Sequence, residues 1–128
     1  MTFRETLDKH LRAIRERDLQ ALAETLPDNE LILIMSDGKL VRSTREFLDA
    51  HRGWFAMPAW TLDARPIEVY EAADLGVAVL HLDYREDPPG KPPVRQESVL
   101  TLIFRRDGAR WVMVQDQNTP VRTPAAGG

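Results

Sequence analysis

The chain has no cysteine in its 128 residues, which removes disulfide scaffolds, thiol nucleophiles and cysteine-based metal sites together. A cysteine-free domain fits a reducing compartment, so the expected location is the cytoplasm. Long apolar runs are also missing. Nothing approaches the roughly 20 residues that span a bilayer, and the opening MTFRETLDKH lacks the charged-then-apolar pattern of a signal peptide, so no membrane partner is expected. Histidine is scarce: His10, His51 and His81 stand far apart with no His-Glu-x-x-His spacing, and no metal site is expected. No glycine-rich nucleotide loop exists, and no cofactor is expected. Neither sign of charge dominates, with 17 Lys and Arg against 20 Asp and Glu, which argues against a nucleic-acid surface. The cluster Arg105, Arg106 and Arg110 is broken by Asp107 and reads as a solvated turn.

Periodicity is what the sequence does have. Thr2 and Glu5 form a capping box ahead of Phe3, Leu7, Leu11 and Ile14, which recur at helical spacing. Asp18 can cap a short second helix carrying Leu19, Leu22 and Leu26, stopped near Pro27. Leu31 to Met35 reads as a short buried strand, turning through Asp37-Gly38 into Leu40-Val41-Arg42. Ser43 and Glu46 suggest a second capping box, opening a helix with the stripe Phe47, Leu48, His51, Trp54 and Phe55. A long strand runs from Trp60 to about Ala72. Its alternation breaks at Pro66, which lacks a ladder donor, so it reads as a bulged edge strand. Leu75 to Tyr84 is the next strand, and a stiff loop rich in proline, Asp87 to Pro93, leads to the last stretch. One domain over residues 1–120 is expected, with 121–128 as a disordered tail.

The last stretch, VRQESVLTLIFRRDGARWVMVQDQNTP, reads as two strands joined by a tight turn at Asp107-Gly108. Both faces of this hairpin are apolar in the middle, so both must be covered. A two-residue turn would put Leu100, Leu102 and Phe104 beside Trp111, Met113 and Gln115. A three-residue turn with a bulge, the favoured form, places Val99, Thr101 and Ile103 beside Trp111, Met113, Gln115 and Gln117 instead. The fold class is α+β: three helices covering one face of a curved, mostly antiparallel sheet of about six strands.

This element order, the length and the closing RRDGARWVMVQDQNTP make the chain resemble the nuclear transport factor 2-like superfamily over about residues 3 to 120. That superfamily includes ketosteroid isomerase, the SnoaL-like polyketide cyclases and the association domain of calcium/calmodulin-dependent kinase. HRGWF at His51 to Phe55, followed by Trp60, is similar to a bacterial SnoaL-like subgroup. The resemblance implies a cone-shaped cystatin-like fold with a pocket beneath the third helix and over the inner face of the last strands. Carried over in the favoured register, the ligand-binding residues would be Trp54, Trp60, Tyr84, Thr101, Met113, Gln115 and Gln117.

Two functions follow. One is a binding protein for a small, mostly apolar organic ligand. The other is an isomerase, dehydratase or cyclase using Glu97 or His51 as acid or base. Glu97 is preferred because it falls beside Gln117, while Asp116 points away from Gln115's face. His51 has the right reference pKa for the task, but a histidine on an apolar stripe serves equally as a hydrogen-bonded core residue. A homodimer is expected through the sheet's outer face, assigned to Leu100, Leu102, Phe104, Val112, Val114, Val77 and Val79.

Overall fold

The computed structural model describes residues 1–122. These form three helices, α1 (Phe3–Arg15), α2 (Leu19–Ala23) and α3 (Thr44–Phe55). The six strands are β1 (Glu30–Ile34), β2 (Leu40–Ser43), β3 (Trp60–Glu71), β4 (Leu75–Glu86), β5 (Val94–Asp107) and β6 (Arg110–Pro120). They make one sheet in the order β2-β1-β6-β5-β4-β3. Every pairing is antiparallel except β1 with β6. The helices lie on one face, giving the expected α+β architecture. No described helix is long and apolar enough to cross a membrane. The tail expectation falls mainly on residues outside the described ones. Of the two that are described, Val121 is tied down, its N–H donating to Glu97 O at 2.9 Å.

The local signals form as their chemistry demands. At α1 the Thr2 side chain accepts from the Glu5 N–H at 3.1 Å and the Glu5 carboxylate accepts from the Thr2 N–H at 2.9 Å. Asp18 caps α2 and Ser43 caps α3, each through a backbone N–H three residues on. Glu46 supplies only its N–H, so the second cap is half a box. Pro66 lies on an edge strand, and the ladder with β4 slips between Pro66 and Glu68. At Gly76 a Cβ would come within 2.6 Å of the Phe3 ring, so glycine is what lets α1 close onto β4. Phe3, Leu7, Leu22, Phe47, Leu80, Leu102, Phe104 and Met113 fill the layer between helices and sheet.

The last hairpin departs from both anticipated registers. Its turn is Gly108-Ala109, with Asp107 opposite Arg110 and Gly108 at φ +65°, the positive φ that two-residue hairpin turns require of glycine. Phe104 then pairs with Met113, but Ile103 pairs with Gln115, so β6 carries one extra residue at Val114. That bulge reverses which side chains face inward for the rest of the strand. Trp111 and Met113 point to the helices, and beyond Val114 so do Asp116 and Asn118. Thr101 is opposite Gln117 as a face-sharing pair, but on the outer face. The dimer patch needs the same correction. Leu100, Leu102 and Phe104 are buried under the helices, and the outer apolar band is Ile32, Val77, Val79, Val99 and Ile103, each half-buried.

Candidate functional site

A cavity of about 290 Å³ opens between the helices and the inner face of the sheet. Leu11 and Ile14 of α1, Leu33 of β1, Leu62 and Ala64 of β3, Leu82 of β4 and Leu100 of β5 make its apolar walls. α3 contributes Ala50, His51 and Trp54, β6 contributes Asp116 and Asn118, and Arg15 stands exposed at the rim. A second chamber of about 340 Å³ shares Ser36, Trp54, Leu62, Leu82 and Asn118 with the first, so the two adjoin.

Asp116 is the chemically unusual member. It is only 6% exposed, and its Oδ1 has no hydrogen-bond partner. Burial alone pushes its pKa from the ordinary carboxylate range up to about 7. A buried charge without a partner is expensive, so the neutral acid is favoured well above the usual carboxylate range. Two residues on, Asn118 lines the same cavity, and its Oδ1 is likewise buried and unpartnered.

His51 lines the same cavity from the helix layer. Its Nδ1 lies 2.8 Å from Phe47 O. A carbonyl can only accept, so Nδ1 carries the proton and the neutral ring keeps its lone pair on Nε2. Burial lowers its pKa, and the bond to Phe47 opposes that in part. The ring is further fixed by stacking on Phe47, 4.0 Å between centroids.

An aromatic wall completes the site. Trp54 stacks on Trp60 at 4.2 Å and 17°, and the Trp60 Nε1–H donates to Trp54 O at 3.0 Å. The Arg17 guanidinium sits 3.8 Å from the Trp60 ring centroid and donates to Trp60 O. Tyr84 lines the second chamber and donates its hydroxyl to Glu86, and burial together with that bond raises its pKa.

Of the residues anticipated for the site, His51 and Trp54 line the main cavity and Tyr84 the second chamber. Trp60 is buried and stacks on Trp54, and Met113 is fully buried in the core toward the hairpin turn, away from the cavity. Glu97, Thr101, Gln115 and Gln117 are elsewhere: the turn register puts the first two on the outer face and the Val114 bulge puts the glutamines there. Glu97 bonds Arg95 at 3.0 Å and lies 3.8 Å from His81 there, so it is no acid or base for the cavity. The carboxyl that lines the cavity is instead that of Asp116. The signal that could have found it is the stretch QDQN. Four polar residues follow a buried run, and a bulge exchanges which alternate pair of them turns inward.

His10 resembles a second site residue but belongs to the core. Thr25 gives its hydroxyl proton to Leu22 O at 2.7 Å, so its oxygen accepts from His10 Nδ1 at 2.8 Å. Burial holds the His10 pKa down at about 3. Among the described residues, no three His, Asp or Glu side chains gather where a metal could be held.

Solved structures share this architecture across nearly the whole chain. A protein with a cystatin-like fold from Caulobacter vibrioides superimposes with a TM-score of 0.80 at 19% identity, covering 97% of this chain and 90% of its own. A ketosteroid isomerase-like protein from Erwinia carotovora atroseptica gives 0.77 at 13%, covering 94% of both chains. A nuclear transport factor 2-like protein with a cystatin-like fold from Novosphingobium aromaticivorans gives 0.73 at 20%, covering 96% of this chain and 82% of its own. These likenesses establish the fold. No curated protein sequence matches the chain. The model of the SnoaL-like domain matches residues 4–121, and the chain belongs to that family.

Proposed function

We propose that the protein binds a small, mostly apolar organic molecule beneath α3 and moves a proton on it through Asp116. The observation that carries this reading is a buried carboxyl, with one oxygen unpartnered, on the wall of a mostly apolar cavity. With a pKa of about 7, Asp116 can take or give a proton near neutral pH, where general acid–base catalysis works best. His51 Nε2 offers a second, neutral acceptor from the helix side. A carbonyl compound with an acidic α-hydrogen, or a hydroxyl to be eliminated, fits these groups. The expected class is therefore isomerisation, dehydration or cyclisation. Asp116 replaces Glu97 in the acid–base role.

The test needs no knowledge of the natural substrate. Exchange of the α-hydrogens of 2-cyclohexenone into deuterated buffer, followed by proton NMR, should be faster with the protein than without it. Asp116→Asn should remove the acceleration while leaving the fold intact. Binding of the ketone without acceleration would leave a binding protein and refute the catalytic part.

We also propose that two copies pack through the outer sheet face. Val77 and Ile103 are paired neighbours there, and Ile32, Val79 and Val99 lie around them among Gln115, Thr101 and His81, a half-buried apolar cluster that a second copy would cover.

A further inference from the structure

We infer that the second chamber takes an uncharged, hydroxyl-rich group, such as a pyranose, attached to the apolar portion held beside Asp116. This rests on the cavity reading above and specifies the ligand. The chamber is lined by Tyr84, Gln96, Ser98, Ser36 and Asn118, with Trp54 and aliphatic side chains between them. None of its lining residues is charged. Phosphate, carboxylate and ammonium groups are recognised by opposite charge, which this lining does not supply.

Hydroxyl groups both donate and accept, and the chamber offers both roles. Asn118 Oδ1 is a buried acceptor with no partner, an atom that a bound hydroxyl would satisfy. Gln96 donates through Nε2 to Glu97 O at 2.6 Å, which leaves its amide oxygen as an acceptor. Tyr84 gives its proton to Glu86 and keeps lone pairs on its oxygen. Trp54 has one face against Trp60, and it lines both chambers. An indole surface beside neutral hydrogen-bonding side chains suits the mixed C–H and O–H surface of a sugar ring. The chambers meet at Trp54, Leu62, Leu82 and Asn118, so a ligand in both would have its linking atoms beside the aromatic wall.

Calorimetry on the full chain with phenol, phenyl β-D-glucopyranoside and phenyl phosphate tests this directly. The glucoside should bind at least about tenfold more tightly than phenol, the gain of one or two net hydrogen bonds, and phenyl phosphate should gain nothing. The double change Gln96→Leu with Ser98→Ala should abolish the glucoside's advantage and leave phenol affinity unchanged. The inference is overturned if the glucoside gains nothing over phenol, if its advantage survives the double change, or if the phosphate binds most tightly. Phenol binding without a glucoside advantage would refute this inference alone. Failure of all three to bind would refute the cavity reading with it.

Discussion

Asp116→Asn should make the protein more stable, and more so as the pH rises. The native carboxyl titrates at about 7 because burial opposes its charge, whereas an unfolded aspartate titrates near 3.8. Between those values the native state holds a proton that the unfolded state has lost. Stability therefore declines as pH rises from about 4 through 7, and the loss is complete above the folded pKa. A difference of about 3 pK units at ~1.4 kcal/mol each is a penalty of about 4 kcal/mol at pH 8. Asparagine keeps the shape and cannot ionise, so it escapes this penalty. For a domain of this size each kcal/mol moves Tm by roughly 3–5 °C, so the variant's advantage at pH 8 is on the order of 10 °C or more. Urea unfolding of both proteins at pH 5, 6, 7 and 8 reads the difference, and subtracting one curve from the other cancels the remaining titrating groups. Parallel curves would mean that Asp116 is not a buried, unpaired acid, and the reasoning would be wrong. A residue that destabilises the fold in its ionised form is one for which a functional reason is worth seeking.

Other perturbations test separate parts of the account. His10, neutral in the native state until about pH 3, makes the unfolded state the stronger proton binder below about 6.5. Stability should then fall by about 3 kcal/mol from pH 6.5 to 4, and His10→Gln should flatten that acid limb in urea titrations. Gly76→Ala drives a methyl into the buried Phe3 ring and should destabilise by about 1–3 kcal/mol; Phe3→Leu in the same chain should recover part of the loss. The outer-face dimer predicts twice the chain mass in light scattering at micromolar concentration, and Val79→Asp should halve it. A monomeric wild type would refute that interface.

Local rules carried the sequence far because most of this fold is locally consistent. The caps at Thr2, Asp18 and Ser43, the break at Pro66 and the stripe through Phe47 and Trp54 each act within a few residues. His51 and Trp54 were legible for the same reason: helical spacing fixes their face. The inner end of β6 was not. Which of Gln115, Asp116, Gln117 and Asn118 turns inward depends on a single extra residue at Val114, and nothing in the composition of WVMVQ marks it. One unpaired residue exchanged Asp116 and Asn118 for the two glutamines. Thr101 and Glu97 left the site for a different reason: the turn at Gly108-Ala109 pairs Phe104 with Met113, which turns Leu100 and Leu102 inward and their neighbours outward. The same turn register put Leu100 and Leu102 in the core and left Val99 and Ile103 on the outer face.

Direct titration of the Asp116 carboxyl by carbon-13 NMR tests the central claim most sharply, with Asp116→Asn identifying the resonance. The expected midpoint is near 7, set by desolvation of the buried carboxyl. A midpoint near the ordinary aspartate value of about 4 would place the side chain in water or against a partner, and Asp116 could not then serve as the proton-transfer group.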